Sequence, residues 1–151
     1  AVVSAVPDAR GPVLLVPVPS SRTALRTRGR DHVRELTAGA VAELRAAGMP
    51  TAEARLLQRE GQARDSAGLS AAARRANLAG TFRWTREAAP GSLLVLVDDV
   101  VTSGATLTEA AAALSPAVRP GDPPVLAAVV AATPRRIVGA TSGSHLRVVA
   151  T

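Results

Sequence analysis

Four short apolar runs, VLLVPVP (13–19), SLLVLV (92–97), PVLAAVVAAT (124–133) and HLRVVA (145–150), each end against proline, glycine or charge and alternate with helix-like stretches. Continuous apolar runs of this length suit strands buried on both faces, and strands that alternate with helices build a parallel sheet covered by helices. The fold expected is therefore α/β, with a mostly parallel central sheet flanked by helices. In such sheets ligands bind in the crevice beyond the carboxyl ends of the strands, which singles out loops 19–30 and 98–106.

The first helix is expected from Asp31, because Val33, Leu36, Ala40, Val41 and Leu44 recur at helical spacing and Gly48 stops the pattern. A second, TLTEAAAALSPAV, is expected to start at Thr106 and break near Pro116. The segment ARLLQRE (54–60) reads as a further strand. The polar, arginine-rich stretch that follows reads as a flexible loop with one short helix in LSAAARRANL. At 151 residues, 47% of them hydrophobic, one domain over 1–151 with a single core is expected. No apolar stretch is long enough to span a membrane and no secretory signal is visible, so a cytoplasmic protein without membrane insertion is expected. Cysteine is absent, which removes disulfides and thiolate metal sites from the options.

All eighteen basic residues are arginine, and the net charge is +6. Arginine grips phosphate in a bidentate fork, so the charge favours anionic partners, either phosphorylated small molecules or nucleic acid. Arg22, Arg26, Arg28, Arg30 and Arg34 fall within thirteen residues after the first strand, where a solvated basic loop is the plain alternative.

The most informative stretch is LVLVDDVVTSGAT (94–106). A loop running from a strand into a helix leaves the first backbone N–H groups of that helix unpaired, and these favour an anion. Gly104 permits unusual dihedrals, and Thr102, Ser103 and Thr106 add hydroxyls, so the loop reads as a phosphate cup. Asp98 and Asp99 would repel a phosphate. They therefore suit sugar hydroxyls or a divalent cation on the same ligand, and a sugar phosphate satisfies both halves. A Walker loop needs a lysine and a dinucleotide fingerprint needs three spaced glycines; neither is present.

Residues 94–106 resemble the phosphoribosyl pyrophosphate motif of the type I phosphoribosyltransferases. Around it VPVPSS, RTRGRDHV, the Arg59 to Gln62 segment and LSAAARRANLAGTF occur in the order found in the ComF branch of that superfamily, across roughly residues 13–133. The resemblance implies a phosphoribosyltransferase-like domain that binds phosphoribosyl pyrophosphate with Mg2+ and moves the phosphoribosyl group to an unidentified acceptor, releasing pyrophosphate. It places the ribose hydroxyls on Asp98 and Asp99 and the 5′-phosphate on Thr102, Ser103, Gly104, Ala105 and Thr106. Ser20, Ser21 and Arg22 become the pyrophosphate loop, with Mg2+ carried by the substrate and no dedicated protein ligands. A loop that closes to exclude water would protect the reactive sugar, so residues 59–77 are expected to form a lid with Arg59, Gln62 and Arg64 as its working side chains, Arg59 and Arg64 in a catalytic role; a solvated connection is the plain alternative. The chain departs from the family at Arg30, Asp31 and His32, and it lacks the cysteine-rich zinc ribbon that commonly precedes the domain, so a trimmed or short form is expected.

Two other functional classes stand beside the enzyme. One is a non-catalytic phosphoribosyl pyrophosphate-binding module serving DNA uptake, with single-stranded DNA held by arginines such as Arg74 and Arg75. The other, weaker, is a receiver-like switch. A homodimer is the expected assembly. His32 and His145 read as surface residues, and Trp84 reads as packing before base stacking.

Overall fold

The computed structural model describes residues 11–21, 25–27, 29–60, 78–132 and 147–150, with residues 132 and 147–150 described by backbone alone. Five strands form the main sheet: β1 (Val13–Pro17), β2 (Thr51–Glu53), β5 (Leu93–Val101), β6 (Leu126–Ala132) and β7 (Arg147–Ala150), in the order β2-β1-β5-β6-β7. Every pairing within it is parallel. Helix α1 (His32–Ala46) carries the chain from β1 to β2, and α2 (Ala105–Leu114), continued by a 3-10 turn at Ser115–Ala117, carries it from β5 to β6.

The two crossovers leave the central β1/β5 pair in opposite directions. Right-handed crossovers that step in opposite directions must lie on opposite faces, and the packing agrees. Along β5 the side chains alternate, Leu93, Val95 and Val97 meeting the α1 layer with Val41 and Leu44. Leu94 and Leu96 meet the α2 layer with Leu107, Ala110 and Leu114. The apolar interior is thus split by the sheet into two layers, where one core was expected.

A separate antiparallel hairpin, β3 (Leu57–Arg59) and β4 (Phe82–Trp84), packs Leu57 and Phe82 onto the α2 layer. The strand expected at 54–60 is therefore real but shorter, and it lies outside the main sheet. Strand β2 has no apolar run to announce it. Its register is held by neighbours: Val13 N–H donates to the Pro50 carbonyl at 2.8 Å, Ala54 N–H to the Leu15 carbonyl at 2.9 Å, and Arg45 Nε to the Thr51 carbonyl at 2.7 Å.

Asp31 caps α1 by accepting the Arg34 N–H on its side chain at 3.3 Å, so one of the residues that departs from the family pattern has a local structural use. Leu36 does not join the buried face expected of it. The helix buries Val33, Thr37 and Val41 instead, and Thr37 satisfies its hydroxyl on the Val33 carbonyl at 2.7 Å.

Asp122 ties the turn after α2 to the start of β5 by accepting the Arg119 N–H at 2.8 Å and the Gly91 N–H at 2.9 Å. Those backbone hydrogen bonds hold its carboxyl below the ordinary carboxylate value. A depressed folded-state pKa contributes stability that is complete above the unfolded value, about 3.9, and is lost as pH falls through the lower folded value. Asp122→Asn should therefore be less stable than the native chain at neutral pH, with the two thermal midpoints converging as the pH is lowered below about 4. A gap that stays constant with pH would contradict this.

Candidate functional site

The strand order reverses between β1 and β5, so the loops from their carboxyl ends diverge and open a crevice. Both loops singled out from the sequence leave from that point.

Strand β5 runs on through Asp98 and Asp99 to Val101, where a strand ending at the acids was expected. The acids are half-buried members of the strand and not of the loop. Each bonds the backbone after it: Asp98 Oδ1 accepts the Asp99 N–H at 2.9 Å, and Asp99 Oδ1 accepts the Val100 N–H at 2.7 Å. Neighbouring strand residues point to opposite faces. Asp98 accordingly lies on the α2 side within electrostatic reach of Arg59, and Asp99 on the α1 side against His32, Glu35 and Leu36.

The cup follows directly. Helix α2 starts at Ala105, one residue earlier than expected, with Gly104 as its N-cap at φ +71°. The first intrahelical bond is Thr108 N–H to the Gly104 carbonyl at 2.9 Å, so the N–H groups of Ala105, Thr106 and Leu107 precede the helical ladder. Ser103 Oγ takes the Ala105 N–H only at a long 3.4 Å. Helix α1 presents its N-terminus at the same sheet end, but Asp31 caps it and Glu35 lies in its first turn. Helix α2 has no side-chain cap bond from Gly104 and no acid in its first turn. Of the two, α2 is the one whose positive dipole end is left for an anion.

On the β1 side, Ser20 and Ser21 are half-buried at the strand's end. Ser20 Oγ reaches Asp31 Oδ1 at 3.4 Å, and the Ser21 carbonyl accepts the Leu25 N–H at 3.0 Å. Arg22, Gln62, Arg64, Arg74, Arg75 and His145 lie outside the described residues, as does the lid segment beyond position 60. Arg59 is described, and it belongs to the last position of strand β3, not to a loop. Its guanidinium lies 5.4 Å from the Phe82 ring centroid. Burial pushes its pKa down, and Asp98 opposes the shift.

Sequence reasoning missed a groove of about 740 Å3 between α1 and the ends of β5 and β6. Its walls include Leu36, Val100 and Val130, which are 37%, 50% and 55% exposed. They are the exposed large hydrophobics among the described residues, and all three converge here. Asp99, His32 and Glu35 supply the polar rim, with His32 Nδ1 3.9 Å from Glu35 Oε2. The only hint in the sequence was Leu36, which a helical wheel assigns to the core. Trp84 packs against the α2 layer, in keeping with a packing role.

Most arginines on the described surface already face carboxylates: Arg30 with Glu35, Arg34 and Arg55 with Glu53, Arg83 with Glu60, and Arg119 with Glu87. Such exposed pairs add little stability, but they balance charge locally. The chain's positive excess is therefore carried mainly by segments outside the described residues. Among the described residues no cluster of three His, Cys, Asp or Glu forms a metal site, and no helix is long and apolar enough to cross a membrane. The carboxylates of Asp98 and Asp99 precede the cup on the same strand, and their oxygens suit a hard cation that a phosphate ligand also binds. No family model matches the chain, and neither a curated protein nor a solved structure matches it.

Proposed function

We propose that the chain is a phosphoribosyltransferase of the type I superfamily, of the ComF kind, that binds phosphoribosyl pyrophosphate across the carboxyl ends of β1 and β5. The observation that carries this reading is the pairing of an α2 N-terminus that takes no side-chain bond from its Gly104 cap with two half-buried carboxylates five and six residues before that glycine, at the reversal of strand order. The 5′-phosphate sits on the N–H groups of Ala105 and Thr106 with the hydroxyls of Thr102 and Ser103. The ribose hydroxyls donate to Asp98 and Asp99. Ser20, Ser21 and Arg22 close the pyrophosphate side.

The groove beside Asp99 receives the acceptor, since it is open to solvent, largely apolar and rimmed by a few polar groups that could orient a small molecule's polar edge. In the transfer the C1′–O bond breaks with its electron pair leaving on pyrophosphate, a nitrogen lone pair of the acceptor forms the new bond to C1′, and the acceptor gives up a proton. The protein's part is orientation and charge stabilisation. Mg2+ brought by the substrate, with Asp98 and Asp99 as the carboxylates that would face it, would offset charge on the leaving group.

Asp99→Asn keeps the shape of the side chain but removes the charged acceptor. A hydrogen bond to a charged group contributes about 1.5–3 kcal/mol, so affinity for phosphoribosyl pyrophosphate should fall about ten- to a hundredfold by calorimetric titration. Affinity for inorganic phosphate, which uses the cup alone, should not change. An unchanged affinity for phosphoribosyl pyrophosphate would remove Asp99 from the site.

A further inference from the structure

We infer that Phe82 is a positioning residue whose ring holds the Arg59 guanidinium at the acid end of β5, where Arg59 takes the pyrophosphate group of the ligand on the sheet face opposite the groove. The inference rests on the proposed function and adds a sidedness to it.

The hairpin supplies the geometry. Arg59 and Phe82 are directly opposed in the β3–β4 register. Leu57 and Arg59 share one face of β3, and Leu57 is buried, so the stem of Arg59 enters the layer between hairpin and sheet. Gln58, on the other face, is exposed. Phe82 is only 5% exposed, and its ring lies within the distance at which a cation is attracted to an aromatic face. A ring packed that deeply has one orientation, and it transmits that orientation to the guanidinium.

Chemistry supplies the ligand. Arg59 Nε is buried and, among the described residues, has no hydrogen-bond partner. The neighbouring Arg83 behaves differently, pairing with Glu60 at 2.6 Å on the exposed side. A buried guanidinium N–H is ordinarily paired, because desolvating a polar group without compensation is costly. Asp98 acts on it electrostatically, so Arg59 is a cation beside the acid that faces the α2 side. An oxyanion is the group that completes it, and the planar fork suits two phosphate oxygens. In a displacement at C1′ the leaving group and the nucleophile approach from opposite sides. The α2 face carries Arg59 and the α1 face carries the apolar groove, so the leaving pyrophosphate belongs with Arg59.

The test uses calorimetric titrations of the full chain with magnesium pyrophosphate and, separately, with ribose 5-phosphate. Phe82→Leu and Arg59→Met should each weaken pyrophosphate about tenfold and leave ribose 5-phosphate within twofold. The double variant should bind pyrophosphate no more weakly than Arg59→Met, because Phe82 acts through Arg59. Phe82→Trp, which restores a ring, should retain most of the affinity. Equal losses for both ligands, or additive losses in the double variant, would overturn the inference. Should Phe82→Leu not fold, Arg59→Met and Phe82→Trp decide the matter alone. Binding of ribose 5-phosphate but not pyrophosphate by the native chain would overturn this inference only, whereas binding of neither would overturn the proposed function with it.

Discussion

Gly104→Val is expected to lower the affinity for phosphoribosyl pyrophosphate about thirtyfold or more, and backbone strain should lower the thermal midpoint by about 2–8 °C. Gly104 has φ +71°, and a Cβ built there would meet nothing within 4 Å. Space is therefore not the obstacle. An L-residue in the left-handed region costs about 1–2 kcal/mol, and a β-branched residue is a severe outlier there. The variant can relieve that strain only by rotating the peptide units of the loop. Those same units aim the N–H groups of Ala105 and Thr106, so relief and loss of the anion site are one event. Gly104→Ala should show a smaller loss in the same direction. A valine variant that binds with native affinity would mean that the phosphate does not sit on this turn.

A second large effect concerns stability. Gly11→Ala should destabilise the chain by about 3 kcal/mol, lowering the midpoint by about 10 °C for a domain of this size. Its Cβ would lie 2.0 Å from the Gly91 carbonyl oxygen and 2.7 Å from the Gly91 carbonyl carbon, both backbone atoms. Backbone yields less readily than a side chain. The same segments are tied together by the Leu93 N–H bond to the Pro12 carbonyl at 3.0 Å, which aligns β5 beside β1. Gly39→Ala is the opposite case. It lies inside α1 with open space around the added Cβ, so it should stabilise by up to about 1 kcal/mol through helix propensity. A Gly11→Ala midpoint equal to the native one would show that the two strand entrances separate without cost.

Much of this architecture was legible because buried parallel strands announce themselves. VLLVPVP, SLLVLV, PVLAAVVAAT and HLRVVA each overlap a strand of the main sheet, and the parallel arrangement follows from their alternation with helices. The elements that escaped are those held by partners. Strand β2, of sequence TAE, carries no apolar period, and β4 is specified by its pairing with β3 and by Phe82 under Arg59. Leu36 misled for a related reason, since helical spacing records that a residue belongs to an apolar face but not whether anything covers it. At the site, the acid pair and the cup were readable because local backbone chemistry defines them. The groove was not, for its walls come from α1, β5 and β6, and nothing in the sequence brings Leu36, Val100 and Val130 together. Arg59 fell between these cases. The resemblance marked it as a working residue, and its strand placement beside Asp98 depends on the hairpin.

The measurement closest to the central claim is a calorimetric titration of the native chain with phosphoribosyl pyrophosphate, with and without magnesium, followed by competition with ribose 5-phosphate and with pyrophosphate. The account predicts one site per chain, tighter binding with magnesium, and displacement by either half of the ligand, since the cup and the Arg59 side each hold one. No binding of phosphoribosyl pyrophosphate with magnesium present, or binding that both Asp99→Asn and Gly104→Val leave untouched, would contradict it.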